Sequence, residues 1–429
     1  MGLKKTEAGM IPEEWDVQTF SDTFRILNNN TFSRAELNYA SGSFKNIHYG
    51  DVLILFPEVL DCNRDDVPFI NEDVRLSGSA QILQDGDIVI ADTAEDETVG
   101  KATEVINTSG KPVMAGLHTI PCRVKKGNFA SGWLGYYLNS HFYHDQLLPY
   151  IHGIKVSSIA KGSLGRTAII MPPVQEQKAI VDALADIDLY ITNLQKLIIK
   201  EEGVKRASLY QLFPTKNEVT PALRMGGRKK AWKSYCLEEV LTDMYNGQTP
   251  SRFHDEFWEG NINWLTSGEL NRGHVVKTRE KITEKGRESS NLRIVPKGTF
   301  VIAITGLEAK GTRGNCAIID IDTTLNQSCM ALIPDNKKLD TEFLYQWYMR
   351  VGDEYGMAYT QGTKQQSYNY DILKKLSIIM PELDEQREIA EYLRDLDMSI
   401  EIHKRDLHKY LLIKQGMMEE LLTGKVRLL

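Results

Sequence analysis

Cysteine is scarce and scattered. The five in 429 residues (Cys62, Cys122, Cys236, Cys316 and Cys329) form no CxxC pair. That excludes a disulfide scaffold and a zinc ribbon, and it fits a reducing compartment. Long apolar runs are absent: none approaches the ~18 residues of a membrane span. The opening MGLKKTEAGMIPEEW has no apolar core of a signal peptide. The expectation is a soluble, cytoplasmic protein without a membrane partner.

The usual catalytic signatures are missing as well. There is no GxxxxGK[ST], no GxGxxG opening a helix, no GxSxG, no HExxH and no Asn- or Asp-Pro-Pro-aromatic tetrapeptide. The spaced glycines of GLEAKGTRG at 306–314 read as a strand-to-strand loop. His141, His144 and His152 suit a packed or solvated face better than a metal. Asp186/Asp188 and Asp395/Asp397 suit helix caps and the macrodipole better than acid–base work. No catalytic, cofactor-binding or metal-binding residue is expected.

What is present is ordinary globular composition, 25% charged and 42% hydrophobic, with length for two to four domains. The net charge of −7 is uneven. Residues 1–170 hold 15 basic and 21 acidic side chains, whereas 270–315 hold ten Lys/Arg against four Glu. A solvated face is the ordinary reading of such a basic run.

Self-comparison reveals a duplication. IIMPPVQEQKAIVDALADIDLYI from Ile169 and IIMPELDEQREIAEYLRDLDMSI from Ile378 share 11 of 23 positions at an offset of 209. Chance would give about one or two. The same offset relates Gly153, Lys155 and Ser158 to Gly362, Lys364 and Ser367. Each copy begins with about 150 residues of short β-rich runs, such as VLILF, DIVIAD, FVIAIT and CAIIDI, between turn residues. One helical stretch recurs within it, at 133–144 and 343–355. Each copy ends in a long helix announced by Pro172-Pro173 or Pro381.

Those helices carry heptad seams: Ile180, Leu184, Ile187, Ile191, Leu194 and Ile198 in the first, and Ile389, Leu393, Leu396, Ile400 and Leu407 in the second. At ~1.5 Å per residue, ~40 residues span about 60 Å. Two matched seams in one chain are expected to pack on each other. Lys205 and Lys414 interrupt both at matched places. Either they fix register as polar seam residues, or the phase shifts to Val204 and Ile413 with the lysine stems snorkelling, which is the plainer expectation.

Two matched domains on a spacer suit double-stranded DNA, whose sites recur on one face every ~34–36 Å. Candidate contacts are polar and basic loop residues. The first half offers Lys155, Ser157, Ser158, Lys161 and Arg166. The second offers Gln248, Thr249, Ser251 and Arg252 in NGQTPSR, Thr266 and Ser267 in WLTSGEL, Lys310, Arg313, and the run Lys364, Gln365, Gln366, Ser367 and Tyr368. Gln, Asn and Arg make bidentate base contacts, and Lys, Ser and Thr hold phosphates.

GMIPEEW at 9–15, the repeated P-x-x-x-Q before a heptad helix, NGQTPS followed by INWLTSGEL, Asn326-Gln327 and the closing LLTGKVRL together resemble the specificity subunit of type I restriction–modification systems. The resemblance covers the whole chain. It implies an α+β protein: two globular α/β target-recognition domains of shared topology, separated by a long antiparallel two-helix coiled coil, with pseudo-twofold symmetry. The domains would be 1–171 and 232–380, the helical regions 172–216 and 381–429, and the linker 217–231. Each domain would read half of a split asymmetric DNA target. The helices would set the gap and dock two modification (methyltransferase) subunits, which restriction (endonuclease/translocase) subunits join. S-adenosylmethionine would belong to the modification subunits, and ATP and magnesium to the restriction subunits. The first domain departs from the pattern. It is net acidic, lacks an NGQTPS-like turn, and has MAGLHTI at 114–120 where the second has Asn326-Gln327. The two domains should therefore read different sequences. Competing readings are a self-contained nuclease or methyltransferase subunit, which would act alone, and a coiled-coil scaffold, which would bind only proteins.

Overall fold

The computed structural model describes residues 2–428 except 65, 77, 80, 154–155, 216–217, 308–310 and 359–366. The chain forms two compact units, Met1–Gln195 with Asp406–Leu429, and Lys196–Arg405.

The first unit contains a five-stranded sheet in the order Phe24–Ile26, Thr119–Val124, Ile88–Ala91, Ala102–Ile106, Val59–Asp61. The first three pairings are antiparallel and the last is parallel. The second unit contains Leu241–Asn246, Cys329–Pro334, Thr299–Ala303, Cys316–Ile319 and Gly273–Val275, with the same succession of senses. The central strands, Ile88–Ala91 and Thr299–Ala303, are buried along their whole length. That is why they read as unbroken apolar runs. In the first unit, Ile88 and Ile90 join one core cluster while Val89 and Ala91 join another, so alternate side chains serve opposite faces.

The recurring helical stretch covers that sheet. In the second unit it is one helix, Thr341–Ala358, burying Phe343, Leu344, Trp347 and Tyr348. In the first unit it breaks into Trp133–Leu138 and His141–Leu147. Asn139 turns away to bond both backbone groups of Ala102, and Ser140 caps the new helix through Tyr143 N.

Before each long helix a short strand pairs antiparallel with one near the start of its copy, Ala168–Met171 with Asp16–Thr19 and Ser377–Met380 with Lys233–Cys236. The helices are Val174–Leu212 and Leu383–Leu421, each of 39 residues. The repeated glutamine of P-x-x-x-Q is fully buried at both helix starts. Gln386 Nε2 donates to Pro381 O and Lys338 O, both at 2.9 Å, and its Oε1 accepts from Asp340 N at 2.9 Å. Gln177 does the same with Pro172 O, Asn128 O and Ala130 N. The motif is a lock between helix and head.

Within each unit, segments of the two helices pack together. In the first, Asp188 meets Lys414 at 2.7 Å and the Tyr190 and Tyr410 rings lie 4.3 Å apart, tilted by 54°. In the second, Lys205 pairs with Asp397, Glu201 with His403 and Ser208 with Tyr392. Numbers rise along one helix as they fall along the other. The expected seam residues are buried or half-buried. The snorkelling expectation fails: Val204 and Ile413 are 41% and 38% exposed, whereas Lys205 and Lys414 are largely buried in ion pairs. The expectation for the acids changes too, since Asp188 and Asp397 neutralise these lysines rather than serving as helix caps.

Candidate DNA interface

In the second unit the turn Asn246–Arg252 leaves the edge strand of the sheet. Gly247 is required there, because a Cβ would lie 1.7 Å from Leu325 O. Gln248 N donates to Leu325 O at 3.0 Å, Trp264 Nε1 donates to Gln248 O at 3.0 Å, and Trp258 Nε1 donates to Ser251 O. Thr249 Oγ1 donates to Gln327. Arg252 makes a bidentate pair with Glu280 and lies 3.6 Å above the Trp258 ring. The hydrogen bond to Glu280 raises the guanidinium's pKa, against opposing desolvation. Phe253 follows at 96% exposure. Ile304 N donates to Ser328 O, and Thr305 bridges to Ser367. The turn, the segment 326–328 and the Thr305–Ser367 bridge therefore gather at one end of the sheet.

The first unit repeats this arrangement. Asn30 N donates to Ala115 O at 2.9 Å, the counterpart of Gln248 to Leu325. Arg34 makes a bidentate pair with Asp51, as Arg252 does with Glu280. Asp92 N donates to His118 O, and Thr93 pairs with Ser158. The first domain thus has the turn it was expected to lack: NNNTFSR at 28–34 shares Asn-x-x-Thr-x-Ser-Arg with NGQTPSR at 246–252. The offset there is 218, and Asn29 and Phe32 replace the glycine and proline that make the second copy conspicuous. Self-comparison at that offset reveals it. Also missed was a polar group beside Ser158: Thr93, Asp92, His118 and Tyr49. His118 adopts φ +52, lies 3.4 Å from Asp92 and meets the Tyr49 ring edge-on.

Several of the other candidates have structural duties. Ser157 and Ser158 lie on the strand Ser157–Ile159. Lys161 is exposed at the start of a short helix, and Arg166 stacks over Tyr150. Thr266 caps the turn containing Ser267 through Glu269. Arg313 Nε donates to Leu307 O. Tyr368 is buried in the second core. Lys155, Lys310, Lys364, Gln365 and Gln366 lie outside the described residues. Among those described, no cluster of His, Cys, Asp or Glu could hold a metal, and no helix is long and apolar enough to cross a membrane.

Residues 12–202 and 229–410 match the family described as the type I restriction modification DNA specificity domain, and the chain belongs to it. It is 25% identical, over 99% of its length and 96% of the relative's, to the putative type I restriction enzyme MjaX specificity subunit of Methanocaldococcus jannaschii. It is 29% identical to the EcoR124I/EcoR124II specificity subunit of Escherichia coli, over 36% of this chain and 38% of that one. The fold resembles the crystal structure of a type I restriction–modification S subunit from M. genitalium at a TM-score of 0.58, with 14% identity and 96% of each chain covered. A chain from a study of type I R-M complex assembly and conformational transition gives 0.57, with 16% identity, 97% of this chain and 99% of that one covered.

Proposed function

We propose that the chain is the non-catalytic DNA specificity subunit of a type I restriction–modification enzyme. It reads a bipartite, asymmetric target and directs adenine methylation or restriction by partner subunits. One observation carries the two-part reading: each unit gathers an Asn-x-x-Thr-x-Ser-Arg turn, a polar segment and a Thr–Ser strand pair at one end of the same sheet. In this reading 1–171 and 232–380 are target-recognition domains of shared topology. The helical regions 172–216 and 381–429 form an antiparallel coiled coil about a pseudo-twofold axis, which fixes the gap and docks two modification subunits. The arginines of the turns brace the loops, leaving Asn, Gln, Thr, Ser and His to face base edges and phosphates. Lys155 and Lys364 take phosphates.

A mobility-shift series with and without the modification partner tests this. Sequence preference should emerge, or sharpen strongly, when the partner is added; no gain in specificity defeats the reading. Neutralising Lys155 or Lys364 should lower the salt slope of binding by about one without changing the preferred sequence. A protein-only scaffold would show neither effect. Cleavage or methyl transfer by the purified chain alone would instead mark it as an enzyme.

A further inference from the structure

The second unit contains a basic cavity of about 550 Å³ where the linker meets the start of its long helix. Residues 224–233, RMGGRKKAWK, hold five Lys/Arg and no acid. Gly226 and Gly227 take φ of +63° and +67°, which lets this segment double back. Arg224 Nη1 closes the turn on Lys230 O at 2.8 Å. Four of the seven lining cations are already committed. Arg224 makes a bidentate pair with Glu385, Arg228 with Glu388, Lys230 pairs with Glu382, and Lys338 donates to Glu239 O. These bonds hold the walls and neutralise most of the acid nearby.

Three lining cations remain. The ammonium groups of Lys229, Lys233 and Lys337 make no salt bridge or hydrogen bond among the described residues, and all three are exposed; Lys233 reaches Glu382 only through space, after Lys230. Of the lining acids, only Asp384 lacks a cation partner among the described residues. The first unit keeps the guanidinium–glutamate pair at its own helix start, Arg427 with Glu176, but on the strand beside it Asp16 stands opposite Met171 where the second unit has Lys233 opposite Met380. The lysine cluster therefore does not belong to the shared scaffold. Three like charges held around a braced concavity repel one another until an anion arrives. The volume is that of a small-ligand site, which runs about 300–1,000 Å³.

We propose that this cavity binds a phosphate-bearing anion through Lys229, Lys233 and Lys337. Free polyphosphate and the backbone of DNA flanking the read sequence present the same chemistry. The DNA source rests on the function proposed above; the free-anion source does not.

The test uses the full chain with its modification partner, as wild type, as Lys229→Gln/Lys233→Gln/Lys337→Gln, and as the matching triple Lys→Arg variant. Sodium tripolyphosphate is titrated by calorimetry. Target DNA binding is measured against salt concentration. Binding of tripolyphosphate that falls at least tenfold in the Gln variant and survives in the Arg variant identifies a free anion. No heat with tripolyphosphate, but a salt slope lower by about two to three in the Gln variant with the sequence preference kept, identifies the DNA backbone. If neither measurement separates the Gln variant from wild type, the proposal is overturned. If specific DNA binding is lacking even in wild type, the function proposed above fails while the tripolyphosphate titration still decides the cavity. The three side chains are exposed and unpaired, so an unchanged Tm confirms that the variants remain folded.

Discussion

Gln386 shows what a single repeated residue does. Its amide meets two carbonyls and one N–H in a place closed to water. Replacing it by leucine keeps the volume but strands three backbone groups, each costing about 1–3 kcal/mol if left unmet. With local relaxation, Gln386→Leu should destabilise the protein by about 2–4 kcal/mol in urea unfolding; a loss under 1 kcal/mol would mean the lock is not one. The sequence displays this residue plainly, because two copies preserve it with the proline it bonds, but its other two partners lie 46 and 48 residues away and leave no local mark. Glu280 offers a second test. The hydrogen bond from Arg252 holds it below the usual carboxylate range, with burial opposing. A lowered carboxyl adds stability above its unfolded pKa of about 4.3, and that contribution is lost as pH falls through the lower folded value. The pair is part exposed, so screening limits it to about 1 kcal/mol. An acid titration of Glu280→Gln should lack this small increment of the wild-type loss below about pH 4; superimposable acid limbs would refute the clamp.

At the scale of elements, the two long helices were the most legible part of the chain and also held its clearest error. Proline, a four-three spacing and an offset of 209 located both helices and their seams. The fate of the seam lysines is not legible from the spacing of apolar residues, because it depends on which acids the partner segments bring opposite them. Lys205 and Lys414 lie opposite Asp397 and Asp188 of the other copy's helix, and Lys414 also meets Glu58 at 2.8 Å. Breaking such a pair by removing one partner leaves a poorly hydrated charge, whereas replacing both with apolar groups can be neutral. Lys205→Met and Asp397→Leu should each cost about 2–4 kcal/mol, and the double variant should recover part of it, the rest being the hydrogen bond that buried Gln346 Nε2 gives Asp397. Additive losses in a double-mutant cycle would show that the pair is not coupled. If the helices are spacers, inserting one heptad into both should change the unread gap in the target and leave both half-sites intact. Methylome sequencing of a host carrying the variant with its modification partner reads this out; altered half-sites would rule out the spacer role.

For the whole molecule, duplication means that specificity should be modular. Exchanging residues 28–34 for 246–252 should alter one half of the methylated sequence and preserve the other, as read by methylome sequencing. Changes in both halves would contradict two independent readers. Which bases are read is not legible from the sequence: in the proposed reading it turns on a few side chains, such as His118 and Gln327, that differ between copies on the same frame. The units also differ in how the chain supplies them. The second is one continuous stretch, whereas the first takes Ile180 and Leu184 from early in the chain and Leu421 and Leu422 from its far end. Arg427, joined to Glu176 and Glu14, fastens that late segment to the start. The unit begun first is thus the last to have all its residues: its core stays open on one side until residues 406–428 are supplied, whereas the one begun second is encoded entirely before them. A premature stop near 405 should spare the later-encoded unit and leave the earlier one prey to proteases.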